Sequence, residues 1–145
     1  MINEEEANRR IAEGCFKAWF VFEALAINEK VAKESLEILT DRLDKDNRVK
    51  IYKRVFGEAK RVEKPLKDIE FGYSVTCEVN LISKNFDSLA QIVMEYGPSA
   101  IEIYEPEKFI LKAGEAQTIL NSIAYMMHSL AAAGAGGIVF IKGDK

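Results

Sequence analysis

The chain has 145 residues, of which 48% are hydrophobic and 30% charged, with a net charge of −3. That is the size of about one domain with enough apolar residues to bury a core, which excludes global disorder. No apolar run approaches the roughly 18 residues of a membrane span, so no membrane is expected as a partner.

Asn3 followed by Glu4, Glu5 and Glu6 predicts a capped helix start favoured by the helix dipole, and Gly14 supplies a stop. The opening MINEEEANRR is acidic and lacks an apolar segment, unlike a secretory signal. CFKAWFVFEALA then alternates as a strand, with Phe16, Ala18, Phe20, Phe22 and Ala24 on one side. Lys17, Trp19, Val21, Glu23 and Leu25 fall on the other. Asn28 caps a second helix whose stripe is Ala32, Leu36, Leu39 and Leu43, and DKDNR breaks it.

VKIYKRVFGEAKRVEK reads as one lysine-rich strand that bulges at Gly57, with Pro65 and KPLKD as a connection. FGYSVTCEVNLI alternates cleanly, Val75, Cys77, Val79 and Leu81 against Ser74, Thr76, Glu78 and Asn80. Asn85 starts a third helix with Phe86, Leu89, Val93 and Tyr96 on one face. Gly97-Pro98-Ser99 follows that helix's C-terminus, so it reads as a stop feeding the strand AIEIY. A phosphate loop would sit at a helix N-terminus, and a nucleophile elbow would follow a strand. EKFILK reads as a short extended continuation.

The strongest helix signal is GEAQTILNSIAYMMHSLAAA, whose apolar face runs through Ala116, Ile119, Leu120, Ile123, Met127, Leu130 and Ala131. GAGG after it follows a helix and precedes the apolar run IVFI, which is not the setting of a dinucleotide fingerprint. Cys15 and Cys77 stand alone, without C-x-x-C or a neighbouring histidine. That points away from a disulfide scaffold or zinc ribbon and toward a reducing cytoplasm. The glutamate and lysine bias, with few glutamines, matches thermophile usage.

The order strand, helix, strand, strand, helix, strand is the split βαβ pattern. The expected class is therefore α+β: a ferredoxin-like βαββαβ sandwich with an antiparallel sheet, an N-terminal helix and a long C-terminal helix. One domain is expected over 1–145, its core at about 16–105 and its terminal helix at about 114–133. The segment YGPSAIEIYEPE with the long helix after it also resembles an uncharacterised archaeal protein family of this fold. The resemblance implies no activity, and the fold alone hosts sensors, metal chaperones, RNA-binding domains and enzymes.

In that arrangement the sheet side away from the helices collects Glu23, Glu78 and Glu102, with Trp19, Thr76, Asn80 and Tyr104 beside them. Such a cluster suits magnesium, calcium or manganese, or a cationic ligand against the aromatics. The plainer reading is an exposed face whose carboxylates are solvated or paired with lysine. On the terminal helix, Gln117, Asn121, Tyr125 and His128 lie opposite the apolar stripe. His128 is either a ligand and proton carrier or an ordinary surface histidine.

The best functional reading is a small cytoplasmic ligand-binding or regulatory module acting as an oligomer, a homodimer in the first instance. Its candidate ligand residues are Glu23, Glu78, Glu102, Trp19, Tyr104 and His128; the ligand is a small molecule or a divalent cation. One alternative is a small enzyme using the carboxylate cluster. Another is an interaction or nucleic-acid module working through the basic segment 48–67. No catalytic residue, resident metal or cofactor is assigned, because no nucleophile–base pair, metal motif or cofactor fingerprint occurs. Nucleic acid is disfavoured as a partner, since the acidic remainder of the chain repels a polyanion.

Overall fold

The computed structural model describes residues 1–134. Among them four helices and five strands follow in the order α1 (Glu4–Ala12), β1 (Phe16–Ala26), α2 (Glu29–Lys45), β2 (Val49–Phe56) and β3 (Lys60–Leu66). β4 (Ile69–Ser83), α3 (Phe86–Tyr96), β5 (Ala100–Glu105) and α4 (Ala113–Ala132) complete it. The chain divides into two compact units, Met1–Phe109 and Ile110–Lys145. GAGG extends past Gly134, and it and IVFI lie outside the described residues.

The helix starts are set by asparagine. Asn3, Asn28 and Asn85 each take an extended backbone and accept a hydrogen bond from the N–H three residues on. Each thereby satisfies one otherwise orphaned donor of its helix.

The first unit is an α+β arrangement built on an open antiparallel sheet. Its order is β2-β4-β1-β5, with β3 also paired to β4. β1 and β4 run opposite each other without a break from Phe16↔Ser83 to Ala26↔Tyr73. This register puts Phe16, Ala18, Phe20 and Phe22 on the same side as Val75, Cys77, Val79 and Leu81, and all eight are buried. Ala32, Leu36 and Leu43 of α2 and Leu89 and Ile92 of α3 join them in one core, with Val49 and Ile51 from β2. Each fully buried large apolar side chain contributes roughly 1.5–3 kcal/mol. Phe109 closes the unit, its ring stacked 4.9 Å from Phe86 and set edge-on 5.0 Å from Phe16.

α1 covers part of the opposite face. Ala7 and Ile82 are buried outside the main core, Ile82 has the opposite side-chain parity, and α1 packs on β4 and β2. The rest of that face is left to polar and half-exposed side chains.

Two expectations require correction. The segment 49–64 is not one bulged strand: β2 and β3 are separate and pair with the two halves of the 15-residue β4. Between them Gly57 donates its N–H to the Thr76 carbonyl at 2.8 Å. Pro65 lies inside β3, not in a connection, at a register shift between Glu63 and Leu66 where Lys64 has φ 45. A proline is tolerated there because the irregularity spares it a ladder N–H. The sheet thus has five strands, and its order differs by β3 from the four-stranded ferredoxin-like arrangement. Second, EKFILK forms no strand; residues 106–112 carry no regular element.

β5 also differs in burial. Ile101 and Ile103 pair with Phe20 and Ala18, on the core side as expected, yet are 48% and 36% exposed. The helical cover lies over β1, β4 and β2, where α2 and α3 pack, and β5 is at the edge of the sheet.

Gly97 has φ 61 and its N–H returns to the Val93 carbonyl, a left-handed C-cap of α3. Ser99 then donates its N–H and hydroxyl to the Val21 carbonyl, tying the turn to β1. The loop is a helix stop. Gly97→Ala should cost about 1 kcal/mol through the positive φ, while Ser99→Ala should cost less, as read from chemical-denaturation midpoints.

Candidate functional site

The β1–β4 and β1–β5 registers place Glu23, Glu78, Glu102 and Trp19 on the same face of the sheet. Glu102 lies opposite Trp19, Glu78 opposite Val21, and Glu23 opposite Thr76. With strands about 4.8 Å apart and about 3.4 Å per residue, the three glutamates form an open triangle. Its Cα spacings are about 8 Å from Glu23 to Glu78 and about 12 Å from Glu78 to Glu102. They do not converge on one point. Among the described residues no group of three or more histidine, cysteine, aspartate or glutamate side chains is placed to hold a metal ion.

Two of the three carboxylates are anchored. The Trp19 indole N–H donates to Glu78 Oε1 at 3.1 Å, and Ser74 Oγ donates to Glu23 Oε1 at 3.0 Å. The Glu102 carboxylate makes no hydrogen bond among the described residues, and Tyr104 sits at the β5 register shift, exposed. His128 is exposed on α4, in the second unit.

A recess that spacing alone does not mark lies where β1 ends against the β3–β4 hairpin. It encloses about 170 Å³ and is lined by Leu25, Pro65, Leu66, Ile69, Phe71 and Gly72, with Ala26 and Ile27 completing its wall. Gly72 is required for its shape: an added Cβ would stand 3.0 Å from the Ala26 carbonyl oxygen and 3.3 Å from Pro65 Cγ. Leu25 shares a face with Glu23, and Ser74, its cross-strand partner, is the residue that holds the Glu23 carboxylate. An apolar hollow and an oriented carboxylate are thus neighbours on one face. The sequence carries a trace of this in Leu25 and Ile27, apolar residues left exposed as the β1 alternation ends.

A second depression, about 430 Å³, lies beside the first turn of α1 and is lined by Asn3, Glu5, Glu6 and Arg9. Three of its four polar groups are already engaged, since Asn3 caps the helix and Glu6 binds Arg9 and Arg10.

The arginines of the basic segment serve the fold. Arg48 binds Asp46 through Nε and Nη2 at 2.9 and 2.6 Å, and Glu95 through Nη1 and Nη2 at 3.0 and 2.6 Å. Tyr96 adds a hydroxyl to Asp46 at 3.2 Å. Arg54 binds Asp41 and Thr40, and Arg61 binds Glu63 while its guanidinium lies 4.1 Å from the Phe71 ring centroid. The lysines of the segment form no ion pair among the described residues.

These features define an α+β protein with an open five-stranded sheet, one partly polar sheet face and an apolar recess at its end. The chain belongs to the MJ0538 family, whose model matches residues 17–140. That family is named after a Methanocaldococcus jannaschii gene and brings no activity with it. No curated protein and no solved structure matches the chain.

The arginine cluster has a pH signature. Hydrogen bonding to Arg48 lowers the Asp46 carboxyl from 3.8 to about 2, and the same guanidinium lowers Glu95. A depressed carboxylate adds stability that is complete above its unfolded value and disappears as pH falls through the folded one. Thermal stability should therefore fall between about pH 4 and pH 2. Asp46→Asn should remove part of that slope and cost on the order of 1–2 kcal/mol at pH 7, given the partial exposure of the cluster.

Proposed function

We propose that this chain is a small, non-enzymatic ligand-binding or regulatory module that works as a homodimer in the cytoplasm. Its ligand combines an apolar group with a positive charge. The observation that carries this is the apolar recess of about 170 Å³ beside the Glu23 carboxylate. That volume holds about five or six water-sized groups at ~30 Å³ each, enough for a short alkyl chain or a single ring. The face beyond it adds Glu78, Glu102 and Trp19, groups that attract a cation and stack on it.

The scaffold is a ferredoxin-like sandwich with one added strand. Support comes from central β1 and β4, with β5 beside β1. The cytoplasmic setting is supported by two free thiols, of which Cys77 is pushed up to about 11 by burial and so carries no thiolate reactivity. The basic segment offers less to a polyanion than its composition implies, because Arg48, Arg54 and Arg61 are engaged internally.

The test is a titration of the full chain with hexylammonium, followed by amide chemical shifts, with hexanoate as the charge-reversed control. Hexylammonium should shift Leu25, Gly72 and Ser74. Glu23→Gln should weaken it about 5–10-fold, the loss of one partly solvated charge pair of about 1 kcal/mol. Equal binding of hexanoate, or no shifts from either compound into the millimolar range, would sink this reading.

A further inference from the structure

The apolar surface of α4 is more regular than a buried helix face requires. Leu120, Ile123, Met127 and Leu130 are spaced 3-4-3 and are 38–62% exposed. Ala116 extends the same row by one step. This is the a/d spacing of a heptad, which a second helix of like spacing covers by inserting its side chains between these. The helix has 20 residues, so it is about 30 Å long. Asn121, Tyr125 and His128 occupy the opposite side, with Tyr125 75% exposed.

The flanks of the row identify the partner. In helical pairs the residues beside the seam select partners by charge. Here Gln117, Ala124 and Ala131 lie along one flank, and Ile119 and Met126 along the other. The ionisable side chains of the helix are Glu115 and His128, and neither falls in the row or on its flanks. A foreign helix chosen by charge finds nothing to pair with. An identical helix meets no like charge and presents the same self-complementary row, as a two-fold interface demands.

We propose that α4 pairs with α4 of a second copy, with Leu120, Ile123, Met127 and Leu130 at the centre of a two-helix seam. This names the interface of the oligomer in the preceding reading and rests on it. The competing surface is the outer edge of β5, which exposes Ile101 and Ile103.

Mass in solution decides between them, measured by light scattering on the eluting full chain, with circular dichroism on each variant. The wild type should show twice 16.3 kDa. Leu120→Glu combined with Met127→Glu should halve that mass, while Tyr125→Glu on the opposite side and Ile101→Lys with Ile103→Lys should leave it unchanged. A seam variant that stays dimeric while the β5 variant becomes monomeric would overturn the seam and keep the oligomer. A monomeric wild type would overturn both. Dissociation by Tyr125→Glu as well, with helical signal lost, would show that the seam is not the cause. Hexylammonium titration of the monomeric variant tests the recess separately, so failure of the seam and failure of the ligand reading are told apart.

Discussion

The unbroken antiparallel pairing of β1 with β4 is the constraint from which the rest of the molecule follows. Every other strand joins the sheet through one of these two. Because successive side chains point to opposite faces, one register decides which residues become core and which become surface. A slip of one residue would turn one strand over against the other, exposing Phe20 and Phe22 and burying Trp19 and Glu23, or exposing Cys77 and Val79 and burying Glu78. The loss of that much apolar burial, with unpaired carboxylates gained inside, makes the alternative register untenable.

Electrostatics then serves the periphery. Arg48 joins Asp46, at the end of α2, to Glu95, in the last turn of α3. Both helices pack on the same side of the sheet, so this bridge fastens the two covering elements to each other. The two sheet edges are treated differently. The outer edge of β2 and β3 carries lysines, Pro65 and a hydrogen bond from Ile2 to the Ile51 carbonyl. Lysine and proline discourage pairing with other chains. β5 contains neither, and its isoleucines are exposed.

The recess arises where this order runs out. β1 stops pairing at Ala26, while β4 continues beyond it to Ile69 beside β3. A two-stranded ribbon outlasts its neighbour, and the apolar residues at its root line the recess. Gly72 keeps the floor open, and Glu23 is already oriented by Ser74 one step away. A recess at the frayed end of a sheet can change its lining without disturbing the core, which suits the ligand-binding role proposed above.

Local chemistry in the sequence determined the asparagine caps of α1, α2 and α3, the Gly97 stop, the alternation of β1 and β4, and the residues sharing the polar face. These depend on spacing and on near neighbours, so they can be read one segment at a time. The division of residues 49–64 into β2 and β3 was decided by the length of β4, which has room for two partners. The exposure of Ile101 and Ile103 depended on where the helical cover ends, which no strand pattern records. The Asp46–Arg48–Glu95 bridge and the recess join residues far apart in the chain, and only folding brings them together. The heptad row of α4 was legible as an apolar stripe; that it stays exposed was a matter for the tertiary structure.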